Sequence, residues 1–454
     1  MTKNLFDDFN AVSSKQWKQK IQFELDGANY NDTLIWKTNE NIDVKPFYNA
    51  DDVDKLLNIS NTKVTQWKIH QSLYVDHVEE SNLLALELTS KKEIDSITFI
   101  IPSANTSIKK LVKNIDYNKV QLYFELQFIS KDFIKLIQFE IPNAKIHLDI
   151  IGQLTKTGNW FNNLNSDLKS FVAITKENNT ISINSSLYQN AGANMTQQLA
   201  YSLAHINEYL NILENSKFNL QTLHIIFNIS IGTNYFFEIA KLKALRLLWK
   251  TLALEYNTNI NCEIITTPTK RNKTLYDSKT NLLRTTTECM SAILGGANAV
   301  NNIPFDYIYR KNNRLSKSIS IEQLVSLKNE SYFNKVNNPT DGAYYIENLT
   351  NQLSKNALEL FKNIEDNGGF LKQLKLGTIQ RKIKESALKE QQQFDNNKII
   401  LVGTNKYQNI NNKMKSELKR YPFIKTNKRK TLIEPIIEKR LSEHLEQKRL
   451  KNEN

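Results

Sequence analysis

Between residues 60 and 350 short β-branched or apolar runs alternate with helical segments, and this alternation confines the chain to a parallel α/β architecture. Runs at 96–102, 120–128, 146–151, 171–175, 180–185, 221–230 and 262–266 read as strands. Within 120–128, Val120, Leu122, Phe124, Leu126 and Phe128 would share one face, with Gln121, Tyr123, Glu125 and Gln127 on the other. The clearest helix spans 234–256, with Thr233 as its expected N-cap. Phe236, Ile239, Ala240, Ala244, Leu247 and Leu248 form its apolar stripe, and Lys241, Lys243 and Lys250 fall largely off it. So many alternations favour a barrel over an open sheet.

The flanks differ in character. Residues 1–60 read as an arm. A helix over 10–27 carries Trp17, Ile21, Phe23 and Leu25, and an extended piece follows at 44–48, where Pro46 biases Lys45 away from helix. The arm has few residues with which to close its own core, so it is expected to pack on something else. Residues 351–410 are nearly all helix, with one stripe over 349–364, a stop at Asn367-Gly368-Gly369, a second helix over 373–393 and a last extended piece at 398–403. A charged helix opening near Pro435 is expected over 432–450.

Charge bears on the choice of partner. The net charge is +13, and residues 411–454 hold thirteen Lys or Arg against six Glu, over half of that excess. The densest run is Lys425, Lys428, Arg429 and Lys430. With no recognition motif beside it, this basic tail reads as solvated surface or as a dock for an acidic partner, not as a nucleic-acid site.

Generic chemistry is scarce. No run approaches a membrane-spanning length, and the opening residues 1–9 lack the pattern of a secretory signal. Two cysteines, Cys262 and Cys289, make no disulfide framework and fit a reducing, cytoplasmic setting. His70, His77, His147, His205, His224 and His444 are scattered without metal-ligand spacing, so no metal site is expected. There is no phosphate loop, dinucleotide fingerprint or nucleophile elbow. Gly295-Gly296 reads as a helix stop and Asp341-Gly342 as a turn.

Five segments, however, resemble landmarks of the methylmalonyl-CoA mutase family, in the family's order and at its spacing. They are QNAGA at 189–193, FEIAKLKALRLLW at 237–249, RTTTE at 284–288 continuing to LGGA at 294–297, KVNNPTDGAYYIE at 335–347, and VGTNKY at 402–407. The stretch from Trp17-Lys18 to Leu25 is similar to the family's N-terminal extension, which embraces a partner subunit. The resemblance implies a (β/α)8 TIM barrel over 61–350, an arm over 1–60 contacting the partner, a helical linker over 351–410 wrapping the barrel, and the basic tail over 411–454. In active members acyl-CoA threads the barrel axis and a cobalamin domain caps the C-terminal face, where barrel enzymes place their sites. The cofactor supplies the radical; the protein orients substrate and excludes water.

Three departures matter. Where active chains carry I-R-Q-Y, this sequence reads Ile69-His70-Gln71-Ser72, and Ser72 is too short for the tyrosine's role. Where they carry G-Y-H-M, the His that hydrogen-bonds the thioester carbonyl is matched by Leu187, which has no donor. Tyr188 is adjacent, but neighbours on a strand face opposite ways. No D-x-H-x-x-G motif appears, and the 47 residues after Tyr407 are too few for a flavodoxin-like cobalamin domain. The resemblance then implies a small, non-catalytic subunit that stabilises a catalytic large subunit in a heterodimer. Adenosylcobalamin is expected on that partner and none on this chain. Two alternatives stand beside it: the substrate-barrel chain of a two-piece acyl-CoA mutase, and a stand-alone vestigial protein holding a CoA ester in its barrel.

Overall fold

A computed structural model describes residues 10, 12–53, 64–90, 94–311, 313–425 and 429–453. Residues 1–9, the 54–60 part of the arm and Lys428 of the basic run lie outside them. The chain opens with α1 (Ser14–Glu24), started by a capping box between Ser13 and Gln16. No residue of α1 is buried, and Trp17 and Phe23 stand exposed. The next segment behaves differently. Trp36–Lys37 and Asp43–Val44 form an antiparallel pair; Val44 and the preceding Ile42 join the main core, and the Trp36 ring packs edge-on to Phe237 at 5.8 Å. Part of the arm therefore belongs to this chain's own fold.

Eight parallel strands follow: β1 (Lys68–Tyr74), β2 (Ser96–Ile101), β3 (Gln121–Leu126), β4 (Lys145–His147), β5 (Thr180–Asn184), β6 (His224–Ile231), β7 (Cys262–Pro268) and β8 (Ala299–Asn301). Hydrogen-bond ladders run β4-β3-β2-β1-β8-β7-β6-β5, so the ring lacks a ladder only between β4 and β5. Helices cover the outside, as expected of a (β/α)8 barrel. Those used below are α2 (Val78–Ser90), α3 (Ser186–Asn190), α4 (Met195–Asn215), α5 (Tyr235–Glu255), α6 (Thr280–Leu294), α7 (Arg314–Asn329), α8 (Tyr344–Asp366), α9 (Thr378–Asp395) and α10 (Glu443–Lys451). None is long and apolar enough to cross a membrane.

Asp149, just after β4, stitches the open seam. Its carboxylate accepts from the Asn184 amide of β5 at 2.8 Å, the Gly152 amide at 2.7 Å and the Tyr209 hydroxyl at 2.7 Å, and lies 2.9 Å from His205 Nε2. Burial disfavours its charge, but His205 and these donors outweigh that and hold the carboxyl below its ordinary range.

Several expectations need correction. Residues 171–175 lie in the helix Leu164–Asn178, where Phe171 and Ile174 pack on the core; a five-residue apolar run cannot reveal its period. Asn234, not Thr233, is the N-cap of α5. Lys241 and Lys243 are buried in ion pairs, whereas Phe236 of the expected apolar stripe is exposed. The helix over 373–393 breaks at Gly377, with φ of +74°. Residues 398–403 form only an isolated bridge, Val402 with Lys406.

The tail departs furthest. Its helix is only α10, and residues 429–442 form a strap along the C-terminal rim of the barrel. Leu432 and Ile433 donate to the Gly158 carbonyl, Ile436 to Thr155, Lys439 to Asn190 and Leu441 to Arg271, which follow β4, β5 and β7. Gly158 has φ of +79°, and a Cβ there would meet the Ile433 carbonyl at 2.6 Å. The strap thus needs glycine at that point. Arg440 is buried, bonded to the carbonyls of Lys273 and Pro422 and paired with Glu446 at 2.7 Å. A hydropathy reading sees this charge as solvated because the fold that buries it brings in the Lys273 carbonyl from 167 residues away.

Candidate functional site

The strands sort their side chains by alternation. Ile69, Leu73, Ile97, Phe99, Leu122, Phe124, Ile183 and Phe227 face outward into the main core beneath the helices. Their neighbours line the axis and are largely polar. At mid-barrel the rings of His70, Tyr123 and His147 follow one another, with centroids 5.4 Å and 5.2 Å apart. His70 lies 2.8 Å from Ser96 Oγ and 2.9 Å from Thr98 Oγ1. Burial lowers the pKa of His70 to about 3 and that of His147 to about 4, so both are neutral imidazoles at neutral pH.

Below them, toward the N-terminal mouth, the axis is closed by side chains. The Tyr123 hydroxyl of β3 donates to Glu263 Oε1 of β7. Lys145 Nζ of β4 lies 2.6 Å and His224 Nε2 of β6 2.9 Å from Glu263 Oε2. In an eight-strand ring β3 and β7 are diametrically opposite, so the tyrosine–glutamate bond spans the bore. Burial opposes the charge on Glu263. Its bonds to His224, Lys145 and Tyr123 nonetheless hold its carboxyl far below the usual range, and it is a carboxylate. Beneath this plug the mouth opens as a cleft of about 740 Å³, lined by Lys68, Lys119, Lys145 and Lys328 with Asp95.

The C-terminal half of the bore is different. Ser72, Glu125, Asn184, Asn228 and Thr267 point inward and are half-buried. Ser72 lies on β1 facing the axis. Leu187 is buried but lies on α3, one short helical turn after β5, and not on a strand as the sequence suggested. The alternation argument for Tyr188 therefore fails, because α3 carries no period of two. Tyr188 is spent elsewhere. Its hydroxyl lies 2.9 Å from His205 Nδ1 and completes the seam network around Asp149. Ser72 and Leu187 thus share the C-terminal half of the barrel, and neither presents a tyrosine or imidazole group there.

The expectation that adenosylcobalamin lies on a partner and not on this chain is consistent with two features. His444, the one histidine after residue 224, is exposed on α10, and the strap occupies the rim over the loops after β4, β5 and β7.

The five segments singled out in the sequence meet in pairs. Lys241 of α5 bonds to Gln189 Oε1 at 3.1 Å and pairs with Glu238 at 2.5 Å. Lys243 pairs with Glu347 at 2.7 Å and Asp341 at 2.9 Å. Arg284 of α6 donates to the Val402 carbonyl at 2.8 Å. Gly192, with φ of +100°, lets α9 approach; a Cβ there would lie 2.5 Å from that of Ala387. These segments hold the scaffold together. The plug residues Tyr123, Lys145, His224 and Glu263 were not singled out as a site. Their one signal was the polar face of residues 120–128, and it did not reveal the partners across the bore.

Comparison with known proteins agrees with this architecture. The family model for methylmalonyl-CoA mutase matches residues 142–452. The methylmalonyl-CoA mutase small subunit of Porphyromonas gingivalis is 31% identical over 443 residues, covering 89% of this chain and 71% of that protein. The methylmalonyl-CoA mutase of Rhizobium meliloti is 26% identical, covering 90% of this chain and 64% of its own length. The large subunit from Porphyromonas gingivalis is 24% identical, covering 82% and 61%. The chain thus spans less than two thirds of the latter two. On its folded barrel, its paired landmarks and these matches, the chain belongs to the methylmalonyl-CoA mutase family and is a homologue of the small subunit.

Proposed function

We propose that this chain is a non-catalytic small subunit that stabilises a catalytic, adenosylcobalamin-bearing large subunit in a heterodimer interconverting methylmalonyl-CoA and succinyl-CoA. The observation that carries the reading is the hydrogen bond from Tyr123 to Glu263 across the bore. An acyl thioester cannot pass along an axis closed at that level, and Leu187 and Ser72 offer no groups to act on one. What the chain retains is the scaffold. The exposed Trp17 and Phe23 on α1 give it an apolar surface to offer a partner, and partner binding stabilises whichever folded state it selects. The setting expected for this work is the cytoplasm.

The cationic cleft at the N-terminal mouth favours one second reading, a CoA ester docked by its phosphates with its acyl end stopped at the plug. Co-expression with the large mutase subunit from the same genome, followed by size-exclusion chromatography and mutase assays of each chain and the mixture, tests both. A one-to-one complex whose activity belongs to the large chain is expected. A stable monomer that ignores the large subunit yet binds CoA would favour the second reading, and turnover by this chain with cobalamin supplied in trans would overturn both.

A further inference from the structure

On the outer wall of the barrel, away from the bore, α2 and α7 enclose a small pocket lined by Leu84, Leu88, Ile94 and Ile321. Lys317 lines it and is half-buried. Among the described residues its ammonium has neither a hydrogen bond nor an ion pair. The backbone places it badly for a cation. It lies in the first turn of α7, its amide bonded to the Asn313 carbonyl at the N-cap, where the helix dipole opposes positive charge. Arg314, three residues earlier on the same face, also lines the pocket. Among the described residues Glu87 of α2 is the one carboxylate lining the pocket, and its attraction is outweighed by burial.

We propose that Lys317 is a covalent acylation site, taking the acyl group of a small thioester whose acyl chain carries a free carboxylate. The free amine attacks the thioester carbonyl; a C–N bond forms, the C–S bond breaks, and the thiol leaves with the proton shed by nitrogen. No oxidant or metal is needed. Arg314 and the N-terminus of α7 supply positive potential for the carboxylate end, and the apolar walls hold the methylenes. Burial supports the chemistry by lowering the lysine's pKa to about 8, Glu87 opposing, so a useful fraction is the free amine near neutral pH. The proposal takes from the functional reading only the source of such thioesters; the reactivity stands on the pocket.

The test uses the full chain alone, so its outcome is independent of whether a large subunit binds. The protein is incubated with succinyl-CoA or acetyl-CoA between pH 6.5 and 9, and labelled lysines are located by peptide mass mapping. Lys119, exposed and paired with Asp116 at 2.7 Å, is the internal comparison. Succinylation of Lys317 is expected to run at least about tenfold faster than that of Lys119, with a midpoint near pH 8. Acetyl-CoA should label Lys317 more slowly, and Arg314→Ala should erase that preference. Labelling of Lys317 no faster than Lys119 would overturn the site, and a preference surviving in Arg314→Ala would overturn the carboxylate selection.

Discussion

The two halves of the barrel bore, built from the same eight strands, follow opposite designs. The N-terminal half is knitted shut by a tyrosine, a lysine and a histidine converging on one carboxylate. The C-terminal half is lined by half-buried short polar groups, of which Ser72 makes no side-chain hydrogen bond. In a barrel enzyme the C-terminal end carries chemistry and the N-terminal end carries stability. Here side chains close the axis in the N-terminal half, while the C-terminal half presents Ser72 and Leu187. The difference is the one on which the proposed scaffold role rests.

That contrast can be broken by substitution. Glu263→Ala should have the largest effect, since it strips Lys145, His224 and Tyr123 of their shared partner inside the bore. The expected loss is about 3–5 kcal/mol of unfolding free energy, read by urea denaturation. A small loss would mean that water or rearrangement satisfies the plug, and that the bore is less closed than its geometry indicates.

The buried histidines give a pH test of the same half. Their folded pKa values, about 3 for His70 and about 4 for His147, lie below the ordinary 6.5, so the unfolded chain binds more protons between those limits. Stability is therefore full above pH 6.5 and falls as the pH drops toward 4. From pH 7 to 5 each histidine should contribute a loss of roughly 2 kcal/mol. His147→Phe should flatten that slope by about half without shifting Glu263, whose carboxyl titrates lower. An unchanged slope would place His147 in contact with water.

At the C-terminal half the effects should shrink. Leu187→His puts an imidazole in a buried site and should cost about 1–3 kcal/mol in denaturation. Assayed with the large subunit, it should leave mutase turnover unchanged, and a gain in turnover from this chain would sharpen the contrast in the other direction by restoring a working end. Ser72→Ala should change stability by less than about 0.5 kcal/mol, because its hydroxyl holds nothing. A larger loss would reveal a bound group in the upper bore.

The strands at 96–102, 120–128 and 262–266 were legible because their periods and flanking turns are local properties. The landmarks at 189–193 and 237–249 were legible as a family pattern, although their role was not. Lys241 and Lys243 misled because charge at those positions looks like a solvated face unless Gln189 and Glu347, distant in sequence, are seen to meet them. The strap misled because Arg440 is basic in composition but buried, paired with Glu446 and bonded to the Lys273 carbonyl.

The sequence by itself determined the α/β alternation, the barrel family and the absence of a donor at Leu187, because those depend on residue identity and short spacing. Only the tertiary structure decided that the bore is closed, that Tyr188 is committed to the Asp149 seam and that the tail lies along the rim. Each of these is a contact between side chains or segments brought together when the sheet curls into a ring. Closing the ring places β3 opposite β7, and no local pattern in either strand records which residue it will face.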